Sequence, residues 1–163
     1  MKSNGTAQAR YQALLQLLRT ADCIWDASRR FFEPWNLSPS QFNVLNLLEA
    51  HPDGLSQSEL SRQLIMHRSN VTGLVDRLEE RRLVRRQDLA NDRRAYRVVL
   101  TKPGAELLKH ILPQYYRRAD EVWEGLSPER IREMTTNLKQ LTENARRVGA
   151  RGSTVVYERE TRG

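Results

Sequence analysis

The chain has 163 residues, with 27 Lys and Arg against 20 Asp and Glu, and a formal net charge of +7. This length suits one domain with a real core, and the basic balance favours a polyanionic partner, either nucleic acid or an anionic membrane surface. One cysteine excludes an intramolecular disulfide framework, and no apolar run approaches the roughly 20 residues of a membrane helix. The polar N-terminus lacks the apolar core of a signal peptide, so we expect a cytoplasmic protein with no membrane partner.

A first helix is predicted from about Thr6 to Phe32, and Pro34 ends it because proline clashes within a continuing helix. Its apolar residues cover more than one side at helical spacing. Such a helix needs two partners, one in its own domain and one in a second subunit. Residues 1–36 are therefore predicted to form an N-terminal dimerisation helix.

Two capping boxes predict the starts of the next helices. Ser38-Pro39-Ser40-Gln41 and Ser56-Gln57-Ser58-Glu59 each place a serine three residues ahead of Gln or Glu. After a tight turn near Met66, a further helix is predicted from about Arg68 to Arg81. Its buried stripe follows the i, i+3, i+4, i+7 pattern and consists of Val71, Leu74, Val75 and Leu78.

Two strands are predicted next, from Leu83 to Gln87 and from Tyr96 to Leu100, joined by a projecting turn from Asp88 to Arg94. Two short helices followed by such a hairpin form a winged helix-turn-helix, whose shape suits the DNA major groove. The predicted fold is mainly α with a small β wing, and residues 37–101 form its DNA-binding lobe.

The exposed face of the Arg68 helix carries side chains suited to base edges and phosphates. Asn can bond adenine, Arg can bond guanine, and the Thr methyl can touch thymine. The alternative for each residue is an ordinary exposed polar side chain. The candidate DNA-binding residues of this helix are Arg68, Ser69, Asn70, Thr72 and Arg77.

The predicted wing tip carries Arg93 and Arg94, which suit a narrow minor groove, and Asp92, which can orient a guanidinium. The alternative is a solvated turn whose charges cancel. Between Arg62 and Arg97 ten Arg accompany five acidic residues, so +5 of the net charge lies there. The other arginines expected on phosphates, or merely aiding solubility, are Arg81, Arg82, Arg85 and Arg86.

The C-terminal region, residues 102–148, is predicted to form two helices, and Pro113 lies inside the first. In the second, apolar residues recur at steps of three and four, the seam of a coiled coil. This seam can pack within the chain or across a dimer, and the apolar first helix favours a homodimer. Residues 149–163 are predicted to form a mobile tail.

Enzyme function is not indicated. The three histidines, at positions 51, 67 and 110, are too dispersed for a local metal-ligand motif, and no phosphate loop, Rossmann glycine pattern or nucleophile elbow is present. We expect no cofactor and no metal.

The motifs resemble those of the MarR (multiple antibiotic resistance regulator) family of winged-helix transcription factors. The similarity covers about Tyr11 to Val148 and is carried by LSPSQFNVL, GLSQSELSRQL, RSNVTGLVDRLEERRLVRR, NDRRA and LTKPG. It implies a homodimer joined by both chain ends, which binds palindromic DNA as a repressor and is released by a small ligand or an oxidant. His67 departs from the family pattern, where a Ser cap is common.

Two sensors are candidates. Cys23 lies in the first helix, where some relatives sense peroxide, although a buried structural cysteine is the favoured interpretation. Trp25, Arg29 and Phe32 are candidates to line an apolar pocket for a small aromatic or phenolic ligand, and the alternative for them is core packing.

The predicted function is therefore a DNA-binding regulator. Its rivals are a non-specific nucleic-acid-binding or architectural protein without signal input, and a winged-helix module that docks an acidic partner.

Overall fold

The computed structural model describes residues 3–64, 68–89 and 92–151, which are mostly helical and include one two-stranded antiparallel sheet. A short 3-10 turn, Glu33–Trp35, follows the first helix. The helices and strands are α1 (Ser3–Phe32), α2 (Pro39–Glu49), α3 (Gln57–Leu64), α4 (Arg68–Glu80), β1 (Val84–Leu89), β2 (Asp92–Leu100), α5 (Lys102–Val122) and α6 (Pro128–Arg151). This arrangement confirms the predicted fold class, a mainly helical chain with a small β wing.

Both predicted capping boxes are present. Before α2, the Ser38 Oγ accepts a hydrogen bond from the Gln41 backbone at 3.2 Å, and the Ser38 backbone donates to Gln41 Oε1 at 2.8 Å. Before α3, the Ser56 backbone donates to Glu59 Oε2 at 2.8 Å, and the Glu59 backbone donates to Ser56 Oγ at 3.3 Å. Each box satisfies helix N–H groups that have no partner inside the helix.

The end of α4 is a Schellman motif. The Leu83 N–H donates to the Leu78 carbonyl at 2.9 Å, and the Arg82 N–H donates to the Glu79 carbonyl at 2.8 Å. Arg82 itself has φ 58°, in the left-handed region. The same bonding pattern ends the 3-10 turn after α1, where Asn36 has φ 51°.

The core lies in the first of two compact units, residues 1–112. Phe32 at the end of α1 stacks on Phe42 of α2, with ring centroids 4.4 Å apart. The predicted apolar stripe of α4 is buried against this core. Its members and the other fully buried aliphatic side chains include Val71, Val75, Leu78, Leu45, Leu48, Leu60, Leu108 and Ile111.

The wing strands are longer than the sequence predicted. β1 pairs with β2 from Val84 opposite Leu100 to Asp88 opposite Tyr96, and an irregularity follows at Leu89. The ladder therefore includes polar residues that the sequence placed in the turn, because cross-strand hydrogen bonds do not need apolar side chains. Leu55, ahead of α3, exchanges backbone hydrogen bonds of 3.0 and 2.8 Å with Val98 and extends the sheet by one bridge.

The second unit begins at Pro113 and contains the end of α5 and all described residues of α6. α5 continues through Pro113 to Val122. α6 reaches Arg151, so the first residues of the predicted tail are helical, and residues 152–163 lie outside the described part. Within the described ranges, no helix is long and apolar enough to cross a membrane.

Candidate nucleic-acid interface

Helix α4 presents a polar face opposite its buried stripe. Ser69, Asn70 and Arg77 are exposed on it, whereas Thr72 is half-buried. The backbone of Arg68 begins the helix, but its side chain lies outside the described part of the structure. α4 contacts α2, α3 and β1, so the position of this polar face is set by the core.

The wing-tip prediction rests on side chains that the structure does not describe. Asp92, Arg93 and Arg94 lie at the start of β2, and only their backbone assignment is described. Their roles in the minor groove stay a prediction. His67, the departure from the family pattern, also lies outside the described residues.

Arg86 of β1 makes an ion-pair cluster that the sequence did not reveal. Its guanidinium donates to Glu79 Oε2 and, at 2.5 Å, to Asp76 Oδ1, both on α4. Its backbone N–H donates to Glu79 Oε1 at 2.7 Å, and its guanidinium carbon lies 5.2 Å from the centroid of the Tyr96 ring on β2. Burial lowers the pKa of Arg86, but its contacts with Tyr96, Asp76 and Glu79 outweigh this and raise it above the usual value.

Arg81 and Arg97 also donate to groups within the protein. The Arg81 guanidinium donates to the carbonyls of Asn36 at 2.5 Å and Trp35 at 2.9 Å. The Arg97 guanidinium donates to the Gly54 carbonyl at 3.0 and 2.8 Å. The guanidinium groups of Arg81 and Arg86 therefore have partners within the chain, and their expected contribution to phosphate contacts or solubility stays a prediction.

Two other members of the basic run are exposed. Arg82 carries no ion pair among the described contacts, and Arg85 donates to Gln87 Oε1 at 3.1 Å. For Arg82 and Arg85, phosphate contact or a mere contribution to solubility stays a prediction.

A surface groove of about 500 Å³ lies between the end of α1 and the start of α2. Of the three predicted pocket residues, only Arg29 lines it, and the Arg29 guanidinium is paired with Asp26, whose hydrogen bond raises the pKa of Arg29. Phe32 is instead 1% exposed within the core stack, and Trp25 is 45% exposed. The groove therefore does not bring the three residues together, and core packing accounts for Phe32.

Cys23 is exposed in the single chain, so the core of this chain does not bury it as the favoured interpretation expected. The physical reason is that most of α1 ahead of Phe32 has no covering element within the compact unit. No group of three or more potential metal-ligating side chains occurs among the residues that the structure describes.

Comparison with known sequences identifies transcriptional regulators that are similar to this chain. The profile of the MarR family matches residues 35–95. The chain is 29% identical over 130 residues to the HTH-type transcriptional regulator MhqR of Bacillus subtilis, covering 80% of this chain and 89% of that protein. It is 32% identical over 116 residues to the transcriptional repressor MprA of Escherichia coli K12, covering 71% of this chain but only 62% of MprA.

Solved structures show the same fold. Sco3205 of Streptomyces coelicolor, a MarR family regulator solved in complex with DNA, matches with a TM-score of 0.76 and 24% identity over 83% of this chain and 88% of that one. BpsR of Bordetella bronchiseptica, whose DNA binding is regulated by 6-hydroxynicotinic acid, matches with a TM-score of 0.70 and 24% identity over 78% and 91%.

Proposed function

The chain belongs to the MarR family of winged-helix transcriptional regulators, and from this premise we propose that it is a repressor. It binds a pseudo-palindromic operator as a homodimer and releases it when a small ligand or an oxidant arrives. Members of this family are DNA-binding transcription factors and not enzymes. The observation that carries the proposal is helix α4, whose buried stripe fixes an exposed polar face beside a β wing.

The recognition step is assigned to the exposed face of α4. Asn70 and Arg77 are exposed there, and both side chains can make bidentate contacts with base edges or bind phosphates. Arg68, Ser69 and Thr72 belong to the same proposed surface, and Arg93 and Arg94 enter the minor groove with Asp92 orienting them. A basic lobe of this kind also attracts DNA without regard to sequence, so specificity must be measured separately from affinity.

Substitution at one exposed arginine tests this assignment. Arg77→Ala should weaken binding to the operator by about 1–3 kcal/mol if the guanidinium reads a base. Arg117→Ala is the matched control, because Arg117 is an exposed arginine on α5 outside the proposed interface. Equal effects of the two variants in titrations at fixed salt would contradict the assignment.

The proposal of a dimer is supported by the location of exposed apolar side chains. On α1 they include Leu14, which is 55% exposed, and Leu18, which is 66% exposed. On α5 and α6 they are Tyr116, Val122, Met134, Leu141 and Val148. Between residues 33 and 112, no large apolar side chain whose exposure is described is exposed to solvent. The exposed apolar surface of the described residues therefore lies on the helices predicted to dimerise.

Sedimentation tests the dimer directly. We expect a dimer at micromolar concentration and dissociation by Leu14→Asp or Leu141→Asp, because a charge in an apolar interface is costly. Gln12→Asp adds the same charge at an exposed polar position of α1 and should leave the dimer intact. A wild-type monomer would contradict this part of the proposal.

The releasing signal is assigned to one of two places on α1. Arg29 in the groove offers a guanidinium to an aromatic carboxylate or phenol, and Cys23 offers an exposed thiol to an oxidant. Peroxide should lose its effect on DNA binding in Cys23→Ser if the thiol is the sensor. Aromatic acids should lose their effect in Arg29→Gln if the groove is the sensor.

A further inference from the structure

We infer that Arg86 is a positioning residue for DNA recognition: it braces the wing against the recognition helix through Asp76, Glu79 and Tyr96. This inference rests on the proposed function, because it concerns the angle between the helix that enters the major groove and the wing that enters the minor groove. We call these four residues the brace.

The helix side of the brace consists of two carboxylates three residues apart, which therefore share one face of α4. Asp76 Oδ1 accepts from the guanidinium at 2.5 Å. Glu79 makes two contacts, since one oxygen accepts from the guanidinium and the other accepts from the Arg86 backbone at 2.7 Å. Glu79 thus holds the strand itself as well as the side chain on it.

The wing side of the brace is the ring of Tyr96. Arg86 lies opposite Val98 in the β ladder, so Tyr96 is its diagonal neighbour on the adjacent strand. The guanidinium lies 5.2 Å from the ring centroid, within the range of a cation–π contact. One guanidinium consequently links α4, β1 and β2.

The low exposure of the Arg86 side chain argues for a positioning role and against direct contact with DNA. The Arg86 side chain is only 25% exposed, and two carboxylates already bind its guanidinium. Asp76 and Glu79 are anionic, so they oppose the approach of phosphates to a basic lobe. Charge alone therefore predicts that neutralising Glu79 strengthens DNA binding, whereas the brace predicts that it weakens specific binding.

Two neighbouring glutamates supply a matched pair of variants that test whether neutralising Glu79 strengthens or weakens operator binding. Glu79→Gln and Glu80→Gln make the same chemical change at adjacent positions of α4, and Glu80 is exposed and outside the brace. We expect Glu80→Gln to bind operator as tightly as wild type or more tightly. We expect Glu79→Gln to lose roughly 3- to 30-fold in operator affinity, with no loss on scrambled DNA.

A second matched pair guards against a simple folding defect. Arg86→Lys keeps the charge but loses the fork that reaches both carboxylates, and Arg85→Lys makes the same change at the exposed neighbour. Partial unfolding would lower affinity for operator and scrambled DNA alike, whereas a displaced wing lowers only the operator affinity. An unchanged salt slope in Arg86→Lys distinguishes it from a lost phosphate contact.

Hydrogen exchange of the free full-length protein tests the brace without DNA. The brace predicts faster exchange of β1 and β2 amides in Glu79→Gln than in Glu80→Gln, at equal global stability. Equal wing exchange, or operator binding by Glu79→Gln as tight as by Glu80→Gln, would overturn the inference. A wild-type protein that does not distinguish operator from scrambled DNA would instead refute the proposed function, and the exchange comparison would still decide the brace.

Discussion

Replacing Arg82 with glycine should stabilise the protein. Arg82 has φ 58°, and a residue with a Cβ pays roughly 1–2 kcal/mol in this left-handed region. Glycine avoids this cost but loses about 0.4–1 kcal/mol through the greater freedom of its unfolded chain. At the midpoints of these two ranges the backbone gain is about 0.8 kcal/mol, which corresponds to a rise in Tm of about 2–3 °C for a chain of this length.

Arg82→Ala is the control, because it removes the guanidinium but keeps the Cβ and its strain. Thermal unfolding at one fixed protein concentration should place Arg82→Gly above Arg82→Ala, a reversal of the usual order of the two residues at helix positions. A glycine variant that melts below the alanine variant would refute the argument from the Schellman motif. The same two proteins should lose operator affinity equally if the Arg82 guanidinium contacts a phosphate.

The remaining predictions concern one cap and one tight contact. Hydrogen bonds from the Ser56 backbone and side chain, and the nearby Arg97, lower the pKa of Glu59. The ionised Glu59 therefore stabilises the folded protein above the unfolded-state pKa, and this stabilisation is lost as the pH falls through the folded-state pKa. Denaturant titrations should therefore show wild type more stable than Glu59→Gln at pH ~7, and the difference should shrink as the pH falls below ~4.3; a difference that does not change with pH would contradict this. A Cβ on Gly104 would lie 2.1 Å from the Leu83 carbonyl oxygen, so Gly104→Ala should cost at least about 1–3 kcal/mol in chemical unfolding. Gly149→Ala is the control, because a Cβ there meets no atom within 4 Å, and it should cause no loss of stability. Equal free energies of unfolding for the two variants would contradict the prediction for Gly104.

Interactions between near neighbours could be predicted from the sequence. The capping box of Ser38 and Gln41 needs only three residues of separation, and the apolar stripe of α4 needs only helical periodicity. The strand ends could not be predicted in the same way. Asp92 begins β2 because of its partner strand, and its own residue type favours a turn.

Contacts between distant residues account for the rest. Arg81 binds carbonyls 45 and 46 positions away, and Arg86 binds a helix that the sequence assigned only to core and DNA contacts. Both arginines resemble ordinary members of a basic run until the fold brings their partners close. The sequence analysis did not use the pair of carboxylates three residues apart on α4, Asp76 and Glu79, although this spacing is a signal that could have indicated a cation beside that face.

The residues that line the groove at the end of α1 differ from those that the sequence predicted. The sequence analysis grouped Trp25, Arg29 and Phe32 because they share helical spacing. Spacing alone does not predict which of these side chains is buried in the core. Phe42 on α2 stacks on Phe32 and removes it from any pocket, while Arg29 one turn earlier stays in the groove. Of the three residues predicted from helical spacing, only Arg29 lines the groove.

The proposed regulator must bind its operator more tightly than other DNA, and the wild-type protein is sufficient to measure this difference. Affinity for the DNA upstream of its own gene is compared with affinity for a scrambled fragment of the same length and composition, at one fixed salt concentration. We expect binding to the upstream fragment to be tighter by about 10³-fold or more. A ratio near one would contradict a specific regulator and leave a protein that binds nucleic acid through charge alone.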